Sequence, residues 1–258
     1  MTIKPHKVII VIPCYNEACG IADVIHSFPK QSLRHNGFET EIVVIDNNST
    51  DQTAEIARSL GATVLHEPKK GKGNAIRTGF QYVIDSDWCD YVVMLDGDNT
   101  YHSDEILRLL EPLRSKFSNV VIGSRLGGKI LMGSMKMTNR IGNRVFSRLV
   151  RTFYGVHVTD VLTGYFAWEF NALEKLKPHL KSEGFAIEME MVTKMAHLGL
   201  EICSVPISYS ARAGETNLNP FSDGIRIFWM FFKNIFWKPQ PQAEEQLQLR
   251  QHPAFTNK

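Results

Sequence analysis

Short, continuous apolar runs alternate with longer amphipathic stretches through the first half of the chain. Residues 7–13 (KVIIVIP), 40–46 (TEIVVID), 62–67 (ATVLHE), 91–98 (YVVMLDGD) and 119–125 (NVVIGSR) are rich in β-branched residues and read as strands. Between them, residues 17–28, 49–61, 71–85 and 102–113 carry helical spacing; the last puts Ile106, Leu109, Leu110 and Leu113 on one face. Strands alternating with helices at this interval predict βαβ units and a mostly parallel sheet flanked by helices. Ligands of such sheets gather beyond the carboxyl ends of the strands. Asn16, Asp46, Lys72, Asp96 and Arg125 all fall at predicted strand ends or in the loops that follow, so they are expected to converge.

The second half follows another pattern. Residues 127–155 are rich in Arg, Lys, Met and Gly, with helical spacing after Met137. Arg140, Arg144, Arg148 and Arg151 lie three or four apart and share a helical face, with Lys136 just before them. Residues 158–170 (VTDVLTGYFAWEF) read as a turn and a strand, 185–199 as an amphipathic helix, and 200–212 as a further strand. The segment from Ile225 to Trp237 (IRIFWMFFKNIFW) is aromatic and interrupted only by Arg226, Lys233 and Asn234. It suits either an interfacial helix with basic flanks or a buried C-terminal helix. Residues 238–258 are polar and rich in Pro and Gln, which predicts a flexible tail.

Composition narrows the class. With 43% hydrophobic and 22% charged residues the chain is an ordinary globular one, and its net charge of +2 argues against a dedicated nucleic-acid binder. Cys14, Cys19, Cys89 and Cys203 form no CxxC pair, which suits reduced thiols in an intracellular protein. The first apolar run is short and ends at Pro13, unlike a signal peptide. No eighteen consecutive apolar residues occur, so no membrane-spanning helix is expected.

Candidate chemistry starts at Asp96 and Asp98, separated by Gly97 at the mouth of a buried strand. Two readings are open. The pair can cap the following helix, or it can hold a hard divalent cation, Mg²⁺ or Mn²⁺, together with substrate phosphates. A cation would cancel both the mutual repulsion of the carboxylates and the charge of a diphosphate. Lys69, Lys70 and Lys72 around Gly71 and Gly73 form either an exposed basic turn or an anion-binding helix start. The spacing is neither that of a P-loop nor a GxGxxG fingerprint.

Taken together, VIPCYNE, VVIDNNSTDQT, HEPKKGKGNAIRTGF, VVMLDGDNTY, VIGSR and SVPISY occur in an order that resembles the family-two, GT-A-fold glycosyltransferases, most closely the dolichyl-phosphate mannose synthase and polyprenyl-phosphate sugar transferase branch. The resemblance covers roughly residues 6–220. It implies a GT-A fold, a Rossmann-like α/β single domain over residues 1–237, with a nucleotide-sugar half (6–125), an acceptor half (126–237) and a candidate interfacial helix at 222–237. It implies that Pro13, Tyr15, Glu17, Asp46, Lys72, Asp96 and Gly97 line the donor site, with Asp96 and Asp98 as the metal ligands. Arg125, Asp160 and Glu190 match later family positions, as do Arg212, Gly214 and Thr216; Asn217 stands where the family has lysine. Asp98, Arg125, Arg212, Asp160 and Glu190 are thus the expected catalytic set.

The implied reaction is inverting transfer of a sugar from a nucleoside-diphosphate sugar, of the GDP-mannose or UDP-glucose type, to a lipid phosphate. The basic face from Lys136 to Arg151 favours a phosphate acceptor, and the aromatic segment favours peripheral attachment to the cytoplasmic face of a membrane, directly or through a membrane protein. Two other readings share the motifs: transfer to a soluble glycan, small-molecule or protein acceptor, and a non-catalytic nucleotide-sugar-binding module. The donor's sugar and base are not legible from spacing.

Overall fold

The structure, a computed structural model, describes residues 4–86, 88–212 and 220–239. Gly214, Thr216, Asn217 and residues 240–258 of the tail lie outside them. Seven strands form one sheet: β1 (His6–Cys14), β2 (Phe38–Asp46), β3 (Thr63–His66), β4 (Tyr91–Met94), β5 (Val120–Ile130), β6 (Phe166–Glu169) and β7 (Ile202–Tyr209). Their spatial order is β3-β2-β1-β4-β6-β5-β7. Every pairing is parallel except those of β6, which runs antiparallel to β4 and β5.

Helices cover both faces, which is why the strands read as unbroken apolar runs. Ile9 and Val11 of β1 point into one core layer with Ile76, Phe80 and Val83 of α4 (Lys72–Ser86). Val8, Ile10 and Ile12 point into the other, with Val24 and Ile25 of α1 (Ile21–Ser27) and Leu109 and Leu110 of α5 (Ile106–Arg114). On the first face lie also α6 (Met137–Tyr154), α8 (Ile187–His197) and α9 (Pro220–Ile235). The remaining helices are α2 (Lys30–His35), α3 (Thr53–Ser59) and α7 (Phe170–Leu176). Neither α2 nor α7 is expected from the pattern. The first has six residues and buries only Leu33, too little for a periodicity; the second follows β6 with no intervening turn.

Register sets the site. Cys14 lies opposite Asp46, and Asp46 opposite His66, so β1, β2 and β3 end level. Val11 pairs with Met94, which brings Leu95 to Asp98 out beside Cys14 to Glu17. Chain order reverses direction between β1 and β4, the place where such sheets open a crevice.

Candidate active site

Four loops meet at that crevice. Asp96 and Asp98 leave β4, Tyr15 and Glu17 leave β1, Asn47 leaves β2, and Lys70 to Lys72 lead into α4. They surround a cavity of about 220 Å³ that Arg212 and Phe185 also line. Pro13 and Gly97 contribute to the same wall. Asp46 does not: its Oδ1 accepts from the Ser49 N–H and its Oδ2 lies 3.2 Å from His66 Nδ1, so it braces the turn one residue behind Asn47.

The charges in the cavity are interleaved. Lys72 Nζ lies 2.8 Å from Asp96 Oδ1, donates to Oδ2 at 3.0 Å, and lies 2.7 Å from Glu188 Oε1. Burial alone would push the Lys72 ammonium down; the two carboxylates outweigh it and hold the group above its ordinary value. Arg212 donates to Glu17 and lies 3.3 Å from Asp98 Oδ2, while Asp98 Oδ1 accepts from the Thr100 N–H and hydroxyl. Burial lifts Asp98 above the usual carboxylate range, Asp96 adds to that and Arg212 offsets part of it. Burial pushes Glu17 up to about 7, against Arg212 and with help from Asp98 and Asp96. Lys70 donates to the Tyr15 hydroxyl at 2.8 Å and sits 4.6 Å above its ring.

Residues present fit a divalent cation. Asp96 Oδ1 is a buried acceptor with no donor aligned on it, despite the nearby ammonium. Among the described residues no group of three or more His, Cys, Asp or Glu side chains gathers for a metal. Asp96 and Asp98 would be its protein ligands, two carboxylates being enough for a Mg²⁺- or Mn²⁺-type ion that takes the rest from phosphate and water.

Other expected residues sit elsewhere. Arg125, at the turn of β5, makes a forked pair with Asp160, with Nε and Nη2 both at 2.8 Å, and donates further to the Leu162 carbonyl. Asn143 of α6 donates to the same carboxylate. Asp160 is fully buried, yet Arg125 and Asn143 outweigh burial and hold it below the usual range. The pair does not line the donor cavity; it braces the loop 160–165 through the Leu162 carbonyl. Gly164 of that loop packs so closely on the Asp96 carboxylate that a Cβ there would collide with it, and its N–H donates to Tyr101 Oη at 2.6 Å. Arg125 and Asp160 thus hold the loop whose Gly164 backs Asp96.

Glu190 is also corrected. Its carboxylate pairs with Lys194 at 2.6 Å and accepts from the N–H groups of Lys181 and Ser182. The carboxylate of α8 that reaches the site is Glu188, which the sequence reading missed. The signal was available: residues two apart on a helix face away from each other, and Lys194, four after Glu190, marks an intrahelical pair. Gly71 and Gly73 serve another end than expected too. A Cβ on either would strike the carbonyl of Glu183 or Ser182, so both let the 69–74 turn pack against residues 182–183.

The pattern of a family now has its geometry. The description Glycosyl transferase family 2 matches residues 9–177. The chain belongs to that family. It is 38% identical over 231 residues to glycosyltransferase AglJ of Haloferax volcanii, covering 89% of this chain and 72% of that one. It is 32% identical to a dolichyl-phosphate hexose transferase of the same organism, over 84% of this chain and 89% of the relative. Among solved structures, glucosyl-3-phosphoglycerate synthase of Mycobacterium tuberculosis, in complex with Mn²⁺, UDP and glucosyl-3-phosphoglycerate, superposes with a TM-score of 0.69 at 22% identity, over 92% of this chain and 82% of that one. The glycosyltransferase thus has the GT-A architecture, and the crevice at β1 and β4 is its candidate donor site.

Proposed function

We propose that this family member transfers a sugar, with inversion at the anomeric carbon, from a nucleoside-diphosphate sugar to a polyprenyl or dolichyl phosphate at a membrane surface. The observation that carries the reading is the charge arrangement at the strand ends: Lys72 and Arg212 each bridge two carboxylates in a cavity flanked by the Asp96–Asp98 pair. A divalent ion on that pair would supply Lewis-acid neutralisation of the diphosphate. Lys72 and Arg212 turn from the carboxylates to the diphosphate oxygens, adding charge-assisted hydrogen bonds as the leaving group gains charge. An acceptor phosphate oxygen attacks the anomeric carbon; the bond to the diphosphate oxygen breaks and its electron pair leaves with the diphosphate. A phosphate monoester is largely dianionic at neutral pH, with a second pKa of about 6. No base need take a proton, and Glu17 and Glu188 orient the two cations.

Membrane contact is supported by two outward faces. On α9, Phe221, Phe228 and Trp229 are exposed, as is Phe236 just past its end; on α6, Met137, Ile141 and Val145 form an exposed row beside Arg144 and Arg148. Apolar rows flanked by arginine suit the headgroup boundary of a bilayer. No helix among the described residues is long and apolar enough to cross a membrane. The test is sugar transfer from GDP-mannose, UDP-glucose and UDP-N-acetylglucosamine to a long-chain polyprenyl phosphate, with Mn²⁺ or EDTA. Transfer is expected with metal only, and Asp98→Asn abolishes it while the melting temperature stays within a few degrees. Transfer confined to soluble acceptors would overturn the lipid reading, and undiminished transfer in EDTA the metal.

A further inference from the structure

The donor cavity balances its own charge. Glu17, Asp96 and Asp98 line it with Lys70, Lys72 and Arg212, three carboxylates against three cations. A divalent cation entering alone meets the three cations, and a diphosphate alone meets the three carboxylates. Together they bring opposite charges and leave the balance nearly intact. Arg212 is the cation placed to enforce this. Its Nη1 lies 3.3 Å from Asp98 Oδ2, the oxygen that Thr100 leaves open, and its Nη2 donates to Glu17. Its Nε is buried with no acceptor. A buried N–H without a partner is unfavourable, so the guanidinium holds Asp98 and still has a donor to give to an arriving anion. The chain just before it is stitched to the segment that follows Asp98: the Ser210 N–H donates to the Thr100 carbonyl at 2.9 Å, and Ser210 Oγ lies 2.6 Å from His102 Nε2. The other two cations are held differently. Lys72 is buried between Asp96 and Glu188, and Lys70 is taken up by Tyr15.

We propose that Arg212 is an internal counter-ion that competes with the divalent cation for Asp98, so that the cavity admits metal and diphosphate as a pair and resists either alone. The inference rests on the donor-site reading above and adds an exchange to it. The guanidinium passes from Asp98 Oδ2 to a diphosphate oxygen, and the carboxylate oxygen it leaves is freed for the metal. Metal and nucleotide then favour each other by one coupling factor, the same in both directions. Removing Arg212 takes away the metal's competitor, so affinity for the metal alone rises although the site has lost a residue.

The test is a titration of Mn²⁺ binding, read from the EPR signal of the free ion, alone and with saturating GDP or UDP. Wild type is compared with Arg212→Ala, Arg212→Gln and Lys70→Ala. Wild type is expected to bind Mn²⁺ about tenfold or more tighter with the nucleotide it accepts than without. Both Arg212 variants are expected to bind Mn²⁺ alone about fivefold or more tighter than wild type, and to gain less from nucleotide. Lys70→Ala removes the same charge from the same cavity without freeing a metal carboxylate, so its affinity for Mn²⁺ alone should rise much less. Unchanged or weaker Mn²⁺ binding by both Arg212 variants overturns the competition. An equal gain in Lys70→Ala overturns it too, because the effect is then one of net charge and not of contact with Asp98. Wild type that takes up no Mn²⁺ with either nucleotide instead sinks the metal site on which the inference rests.

Discussion

Glu188 and Glu190 are separated by one methionine and have different work. Glu188 holds Lys72 against the site, and Glu190 neutralises the buried Lys194, which also donates to the His179 carbonyl. Their substitutions should separate accordingly. Glu190→Ala leaves an ammonium buried without its carboxylate and costs about 3–5 kcal/mol of stability, read by urea denaturation, with nucleotide affinity unchanged at temperatures where the variant is folded. Glu188→Gln leaves Lys72 paired to Asp96 and keeps most of the stability. It lets the ammonium settle on Asp96, so sugar transfer falls about tenfold or more, as when a preorganised electrostatic group is lost. Equal stability losses in the two variants would reject this division.

At the scale of elements, α9 is two-faced. Ile227, Phe231 and Asn234 are buried, Phe231 against Tyr154 of α6 at 5.6 Å between ring centroids, and Asn234 donates to Thr193 of α8 at 2.8 Å. Phe228 and Trp229 point outward. Phe231→Ala should cost about 3–5 kcal/mol through the cavity it leaves. Phe228→Ala with Trp229→Ala should change stability by only about 0.5 kcal/mol or less for each site and should release the chain from anionic vesicles in a flotation assay. Retained vesicle binding in the double variant would move the membrane contact to α6 or elsewhere. The same duality explains why the aromatic segment could be read as interfacial or as core: one side of it is buried and the other exposed.

For the whole molecule, the Arg125–Asp160 pair ties β5 to the loop before β6, and Asn143 adds α6 to the knot. Because Asp160 is held below the usual carboxylate range, it binds a proton less readily folded than unfolded. Its contribution is therefore fully present above the unfolded pKa, about 4, and is lost as pH falls through that value toward the lower folded one. Asp160→Asn should lower stability by about 3–5 kcal/mol at pH 7, and the gap to wild type should narrow below about pH 4. Urea denaturation across pH 3–7 measures it; a gap independent of pH would remove the ion pair as its source.

Much of this was legible in one dimension. Continuous runs such as VIIVI and YVVM need burial on both sides, so they fixed a parallel sheet under two layers of helices, and the polar residues that end them had to meet at its edge. Asp96, Asp98 and Lys72 follow from that alone; Tyr15 came with the family resemblance, and Asp46 and Arg125, read at the same edge, do not line the cavity. Pairing between distant residues was not legible, because it depends on how helices and loops far apart in sequence pack together. Only the packed structure brought Glu188 onto Lys72, closed Arg125 onto Asp160, and set Arg212 on Glu17 across 195 residues. Apolar periodicity is a property of neighbouring residues, and charge pairing in a site is a property of distant ones.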